Sequence, residues 1–597
     1  MKNNEPAFAD CVPQITVLDT GGQYTHLIAR RVRELGVYAD VQPSDTPAAE
    51  LSSRKGLIIS GGPASVYDFG SPDIDPKILG SGKPVLGICY GHQLLARHLG
   101  GQVQMGERGE YGIAHLRVTC EDPLWNGVEH SQIWMSHFDS VASAPPGFRV
   151  TASTDISGVA AMSHPERKLF GIQFHPEVVH THAGMRVLEN FIFDICGAVK
   201  DWDVSQRVSA IEEQIRTTVK DRNVFFFVSG GVDSTVAYTL CLRALGPERV
   251  YAIYVDTGLM RKGETDFVKT VFEELGAAHF LVDFAEQEFL SALLGIHDPE
   301  QKRCAIGEQF VKVQQRILTT GHFLDGHWIL GQGTIYPDTI ESGGSAKADL
   351  IKTHHNRVAG IQSLIESAGL IEPLTSFYKD EVREIGREIG IPAKFLARHP
   401  FPGPGLAIRC LCSKQEAAVT ETSDGVLLPL SSVGVQGDMR SYRNVLCLVG
   451  RSGPALEDIN VTAPALTNSR RDINRVVALC GAKSQLTFMQ AFEASITKKR
   501  LNILREADAI VRRMTLQTGF DGQVWQFPVI LLPLGTAEAP ESIVLRPINS
   551  MDGMTAGVVL MQPEALDQLT AELLKVPDIA AVFYDLTNKP PGTIEWE

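Results

Sequence analysis

Long apolar runs, basic blocks and clustered cysteines are all missing from this chain, and each absence removes a class of function. No apolar stretch reaches the ~20 residues that a bilayer crossing needs, so no membrane partner is expected. The formal net charge is −15, with no basic block and no lysine-rich tail. Nucleic acid is therefore not an expected partner either. The opening residues are acidic and polar where a signal peptide would be basic and then apolar. The ten cysteines are scattered, and the close pair Cys410 and Cys412 lacks C-x-x-C spacing. Both observations predict a cytoplasmic protein with reduced thiols. The histidines lack metal-ligand spacing, and His137 and His164 read as structural or substrate-lining.

What is present is 597 residues, 44% of them hydrophobic, enough for about three to four domains. The chain is organised around Val224 to Leu240. A short Val/Phe run drives into Ser229-Gly230-Gly231-Val232-Asp233-Ser234, and a helix-compatible segment follows without a break. This reads as strand, tight turn, helix. The adjacent glycines let the backbone approach a ligand, and the N–H groups opening the helix favour an anion, so the turn is a candidate phosphate cradle. It lacks the Gly-Lys-[Ser/Thr] ending of a Walker A loop. The plainer alternative is a glycine turn of ordinary α/β packing.

The first two hundred residues alternate the same signals. Gln14 to Asp19, Gly56 to Ser60 and Lys83 to Ile88 are strand candidates, and Tyr24 to Leu35 is a helix candidate. The alternation predicts an open, mostly parallel sheet with helices on both faces. Gly87-Ile-Cys89-Tyr-Gly91 places a thiol at the centre of a G-x-C-x-G turn, where flanking glycines relieve crowding and a helix start favours thiolate. A strand-end cysteine can equally be buried filler. A base and its orienting acceptor are available in Leu169-Phe-Gly-Ile-Gln-Phe-His175-Pro-Glu177, which completes a Cys89–His175–Glu177 triad if the strand ends meet.

These motifs carry resemblances. Ser229 to Ser234 resembles the loop of the ATP pyrophosphatases, which implies that Ser229, Gly230, Gly231, Val232 and Ser234 hold ATP phosphates and that Asp233 is a Mg²⁺ ligand. G-x-C-x-G-H-Q together with F-H-P-E resembles the class I glutamine amidotransferases, in which cysteine attacks the glutamine side-chain amide and releases ammonia. That likeness makes the Ser60-Gly-Gly-Pro63 turn a source of oxyanion-hole backbone, with Gly62 as candidate. The family's usual glycine before Asp139 is Phe138 here.

Longer segments resemble the glutamine-dependent GMP synthases: Val255 to Arg261, Gly331 to Asp338, Ile351 to Asn356, Glu372-Pro-Leu, Tyr378 to Arg383 and Arg398-His-Pro-Phe-Pro-Gly-Pro-Gly405. The likeness runs from Gln14 to Glu597. It implies that ATP-Mg²⁺ adenylates the C2 oxygen of xanthosine 5′-monophosphate (XMP) and that ammonia from glutamine then displaces AMP. It also implies that Asp256 and Lys379 attend ATP, Lys379 from a lid, while Arg303, Gln526, Lys589, Thr593 and Glu595 attend the substrate nucleotide. Cys304, Ser431 and Gly553 depart from the family's usual lysine, arginine and aromatic. Another adenylating amidotransferase and a nucleotide-binding scaffold remain as alternatives.

The expected fold class is α/β. A flavodoxin-like glutaminase domain over 13–199, a linker over 200–222 and an adenine nucleotide α-hydrolase-like ATP pyrophosphatase domain over 223–397 precede an α+β region over 398–597. Both leading domains are expected to be doubly wound on parallel sheets. Val426-Leu-Leu-Pro-Leu430 returns as Ile530-Leu-Leu-Pro-Leu534, each copy followed by a β-rich strand, which predicts an internal repeat of two α+β subdomains. A helix candidate, Phe492 to Met514, joins them. By resemblance this region forms a homodimer, and its length is similar to that of the eukaryotic-type enzyme.

Overall fold

A computed structural model describes residues 12–597 apart from 23, 179, 342–368, 437–438, 450–452 and 551–554. The expected segment 351–356, Gln23 and Gly553 lie outside the described residues. The chain divides into two compact units, Met1–Ala210 and Ile211–Glu597.

In the first unit, β1 (Ile15–Asp19), β2 (Ala39–Pro43), β3 (Gly56–Ile59) and β4 (Val85–Ile88) are short apolar runs, and the helices α1 (Thr25–Glu34) and α2 (Tyr90–His98) follow β1 and β4. Strands buried on both faces need this composition. Then come β5 (Gln102–Val118), β6 (Ser131–Ser143), β7 (Arg149–Ser153), β8 (Ala161–His164), β9 (Leu169–Ile172) and the helix α3 (Gly184–Glu189). The sheet order is β2-β1-β3-β4-β9-β8-β7-β5-β6. The five strands from β2 to β9 run parallel, but every pair from β9 to β6 is antiparallel. The expectation of a parallel sheet is therefore corrected to a mixed one. The links 154–160 and 165–168 are too short for a crossover, which needs a dozen or more residues. Along β6, alternating burial marks a strand with one solvated face.

The helix α4 (Val208–Val219) leads into the second unit, where β10 (Asn223–Val228), α5 (Val232–Leu245), β11 (Val250–Asp256), α6 (Glu264–Glu274), β12 (His279–Phe284), α7 (Pro299–Thr320), β13 (Trp328–Gly331) and β14 (Leu370–Ile371) succeed one another. The sheet order is β12-β11-β10-β13-β14, and every pair is parallel. The chain moves outward from β10 to β12 and returns to β13 on the other side. The C-terminal ends of β10 and β13 thus form a topological switch point, where open α/β sheets bind ligands. The helix α8 (Lys379–Glu388) follows.

The last part forms a seven-stranded mixed sheet. Its elements are β15 (Thr420–Thr422), β16 (Gly425–Gln436), β17 (Met439–Leu448), α9 (Ala463–Ser469), β18 (Ile473–Ala482), α10 (Lys498–Thr518), β19 (Val529–Leu532), β20 (Glu541–Leu545), α11 (Pro563–Leu574) and β21 (Ile579–Asp585). The strand order is β15-β16-β17-β18-β21-β20-β19. Each copy of the pentapeptide opens a β-β-α-β unit: β16 and β19 pair antiparallel with the next strand, and a helix then crosses to a parallel third strand. The third strands, β18 and β21, pair antiparallel, so the two copies share one sheet. α10 starts at Lys498 rather than Phe492 because the Thr497 side chain caps it, accepting from Arg500 N–H. One buried cluster of the second unit runs from Phe225 and Leu330 through Leu504 to Leu545 and Tyr584, and a separate one gathers Leu428, Val445, Ile530, Phe583 and Trp596. Among the described residues no helix is long and apolar enough to cross a membrane.

Candidate active sites

Cys89 lies between β4 and α2 with φ 53° and ψ −104°. The turn requires its flanking glycines: a Cβ on Gly87 would stand 2.4 Å from the Gly91 oxygen, and one on Gly91 2.4 Å from the Ile59 oxygen. This packing drives the start of α2 against β3 and sets the sulfur at the helix N-terminus. His175 comes three residues beyond β9. Its backbone is held by its N–H on the Trp134 oxygen (3.1 Å) and by the Thr181 hydroxyl on its own oxygen (2.6 Å). His175 Nδ1 meets Glu177 Oε1 at 2.7 Å, while Arg31 Nε donates to the Glu177 carbonyl at 2.9 Å. Burial pulls the imidazole toward neutrality, but the Glu177 carboxylate and the Cys89 sulfur outweigh it and push His175 up to about 10. A charged imidazolium beside the sulfur favours thiolate.

The turn after β3 faces the same place. A Cβ on Gly61 would lie 3.1 Å from His175 Cε1 and 3.5 Å from Cys89 Cβ. The Thr20 hydroxyl donates to the Gly61 oxygen at 2.7 Å and lies 3.1 Å from the Ser60 oxygen, which pins the backbone that presents Gly62. Across the site, Cys89 Sγ is 3.7 Å from the Ser136 carbonyl, and Phe138 is half-exposed. His137 is tied to Asp139 O (3.0 Å) and Glu110 Oε2 (3.3 Å). Among the described residues no group of acidic, Cys and His side chains is placed to hold a metal without added ligands.

In the second unit, Ser229 to Ser234 occupies the switch point. Gly230 turns the chain at φ 73°, and Gly231, which caps α5, donates its N–H to Ser229 Oγ at 3.2 Å. The β13 loop abuts this turn: a Cβ on Gly333 would stand 2.7 Å from the Ser234 nitrogen. Asp233 Oδ2 is 3.8 Å from Lys379 Nζ, at the start of α8. Burial raises the Asp233 carboxyl above its ordinary range, Lys379 opposes that, and Asp338 adds to it. Asp233 Oδ1 is buried without a hydrogen-bond partner among the described residues. A hard, anionic oxygen left open beside this glycine turn fits Mg²⁺, which takes one or two carboxylates and completes its shell with phosphates and water. On the neighbouring strand Asp256 is fixed by Gly258 N–H (3.0 Å) and the Thr265 hydroxyl (2.7 Å).

The candidates on the nucleotide side fall into two groups. Gln526 Nε2 donates to the Pro400 oxygen at 3.2 Å, and Phe401 lies under the guanidinium groups of Arg261 (4.5 Å) and Arg409 (5.4 Å). Glu595 accepts a two-pronged pair from Arg409 at 2.9 and 2.7 Å, so Gln526, Glu595 and the 399–405 loop come together. Gln526 Oε1 and Arg409 Nη1 are buried there without hydrogen-bond partners among the described residues. Arg303 instead pairs with Glu300 at 2.9 Å and donates to the Glu597 oxygen. Thr593 is engaged by Arg475, whose Nη2 reaches its hydroxyl at 2.9 Å, and the backbone of Lys589 pairs with Ala556.

Comparison with known proteins agrees along the chain. The family model described as glutamine amidotransferase class-I matches residues 16–195, NAD synthase matches 204–338, and GMP synthase C terminal domain matches 514–596. A relative from Leptospira interrogans, described as a probable glutamine-hydrolysing GMP synthase, is 43% identical over 98% of this chain and 99% of its own. The chain belongs to the glutamine-hydrolysing GMP synthases. GMP synthases of Syntrophomonas wolfei (39% identical) and Caldicellulosiruptor saccharolyticus (37%) also match over 98% of this chain and 99% of theirs. The eukaryotic-type resemblance of the long C-terminal region finds no support, since the Leptospira relative matches through it.

Within this GMP synthase, sequence reasoning missed the residues that hold the named ones in place. Arg409 stands four residues after the Pro/Gly loop, and that proximity was its available signal. Arg475 meets Asp585 in the buried floor beneath the tail at 2.8 Å, beside Arg546 at 2.7 Å, a residue that the sequence does offer as a match to a substrate-side position of the resembled family. Nothing in the sequence near Arg475 marks it, because its partners, Val433, Asp585 and Thr593, are all distant along the chain. Lys302 is fully buried, pairing with Glu597 and donating to the Ala407 and Cys410 oxygens at 3.2 Å.

Proposed function

We propose that the chain converts XMP, ATP and glutamine, with water, to GMP, AMP, pyrophosphate and glutamate. In the first unit, His175 takes the Cys89 proton and Glu177 stabilises the resulting imidazolium. The sulfur attacks the glutamine amide carbon, and the backbone at Gly62 receives the developing oxyanion. His175 then gives its proton to the leaving ammonia, and water releases glutamate. In the second unit, the Ser229 to Ser234 turn and the start of α5 hold the phosphates of ATP, and Asp233 with Asp256 faces them. When bound at Asp233, Mg²⁺ supplies positive charge against the phosphate oxygens. Lys379, released from Asp233, adds a second cation there as charge builds on pyrophosphate. Gln526, Glu595, Arg303, Lys589 and Thr593 hold XMP with its C2 oxygen toward ATP, where ammonia displaces AMP.

The observation that carries this reading is the pairing, in one chain, of a buried Cys–His–Glu centre with a phosphate turn whose acid is left half-partnered. The region 398–597 is proposed to mediate a homodimer, which sizing chromatography tests. The nine described cysteines are all free, in keeping with a reducing cytoplasm. The deciding assay is GMP formation with glutamine and, separately, with ammonium. Wild type should use both and Cys89→Ala only ammonium; no GMP from either donor in wild type would overturn the proposal.

A further inference from the structure

The Cys89 sulfur has a polar neighbour that the triad does not use. Gln173, just after β9 and fully buried, points its side-chain Nε2 at Cys89 Sγ, 3.6 Å away. The amide's orientation is set by its surroundings. Gln93 Nε2 donates to the Asp139 carbonyl at 2.7 Å, so that atom is a nitrogen, and its other proton meets Gln173 Oε1 at 3.3 Å. Gln173 must therefore present oxygen to Gln93 and its NH₂ to the sulfur. The Ser136 carbonyl, also near the sulfur at 3.7 Å, can only accept. It suits the thiol and opposes the thiolate, and within this pair of contacts Gln173 supplies the compensating donor.

We infer that Gln173 is a further catalytic residue of the glutaminase centre, a neutral N–H donor that holds the Cys89 thiolate. The inference rests on Cys89 being the nucleophile. No proton leaves Gln173: the thiol proton goes to His175, the sulfur pair forms the bond to the amide carbon, and the Gln173 N–H follows the sulfur through both states. Hydrogen bonding to the charged form of a group favours that form. Loss of this donor should raise the thiol pKa by about one unit, the size of a charge-assisted hydrogen bond in a closed site.

The test is the pH dependence of Cys89 alkylation by iodoacetamide in the full chain, read by mass spectrometry of the Cys89 peptide. Wild type, Gln173→Met and Gln173→Glu are compared alongside glutamine kinetics and thermal unfolding. Gln173→Met keeps volume without a donor; Gln173→Glu keeps shape and puts an acceptor against the sulfur. The expected alkylation midpoint rises by about one unit in Gln173→Met and further in Gln173→Glu. Glutamine kcat should fall about ten-fold or more with KM little changed, and ammonium-dependent synthesis should be preserved. Equal shifts in the two variants, or no shift in either, would overturn the role of Gln173 while leaving Cys89 in place. A loss of cooperative unfolding that accounts for the lost activity would also overturn it, as the mark of a purely structural residue. Glutamine use by Cys89→Ala would instead remove the nucleophile reading on which the inference stands.

Discussion

Replacing Asp585 by Asn should loosen the floor of the proposed nucleotide site far more than a one-atom change suggests. Asp585 Oδ2 accepts from Arg475 Nη1 and Trp596 Nε1 (both 2.8 Å) and forms an ion pair with Arg546 Nη1 at 2.7 Å, and Oδ1 accepts from Thr587 N–H (2.9 Å). All three charged groups are fully buried. An asparagine turned either way sets an NH₂ against donors and leaves two guanidinium groups with no counter-charge. Removing the counter-charge of a buried ion pair typically costs about 3–5 kcal/mol, and here one carboxylate serves two arginines, so the loss should be about 3–6 kcal/mol. Because Arg475 and Arg546 also donate to the Thr593 carbonyl, both at 2.8 Å, the loss should appear first in the tail. Hydrogen–deuterium exchange of peptides covering 579–597 should quicken by roughly a hundred-fold or more, since each 1.4 kcal/mol is about ten-fold. The Km for XMP should rise with it. Exchange within a few-fold of wild type and an unchanged Km would refute the reasoning. Asp585 itself titrates below its ordinary range: burial opposes this, but the two arginines prevail. Its contribution is therefore present above about pH 4 and lost as pH falls through the depressed value, an acid limb that Asn should abolish.

Other expectations can be checked in the same assays. His175 is raised to about 10, so its contribution to stability is fully present below about pH 6.5 and fades as pH climbs toward 10. Melting of the first unit followed across that range should show the loss, and His175→Asn should flatten it. Lys379→Ala should cut ammonium-dependent GMP formation by about a hundred-fold, with XMP affinity little changed, as expected for a cation that acts on developing phosphate charge. Gly91→Ala should destabilise the first unit by about 3 kcal/mol in urea melts, the upper end for overpacking, because its Cβ meets the Ile59 carbonyl at 2.4 Å and that strand cannot give.

The sequence was legible where chemistry and local geometry coincide. Cys89 and Ser229 to Ser234 sit on strand-to-helix turns whose glycines announce them, and Leu-Leu-Pro-Leu occurs at the head of each β-β-α-β unit. The antiparallel half of the first sheet was not legible from alternation in residues 14–93, because the chain changes style after α2. Gln173, Arg409, Arg475 and Lys302 were hidden for another reason. Their partners lie tens to hundreds of residues away, and nothing in the local pattern distinguishes a buried guanidinium or amide from a solvated one.

The antiparallel seam between β18 and β21 bears on how this protein is made. One half of the seven-stranded sheet is complete by Ala482, yet the strand that joins its inner edge spans residues 579–585. Until those residues leave the ribosome, β18 presents an open row of N–H and C=O groups, a template for pairing with another nascent chain. At about 5–20 residues per second, some hundred residues of synthesis keep that edge uncovered for roughly 5–20 seconds. A slow codon stretch or a missing chaperone within that interval should therefore send more product into aggregates than the same delay placed before residue 473.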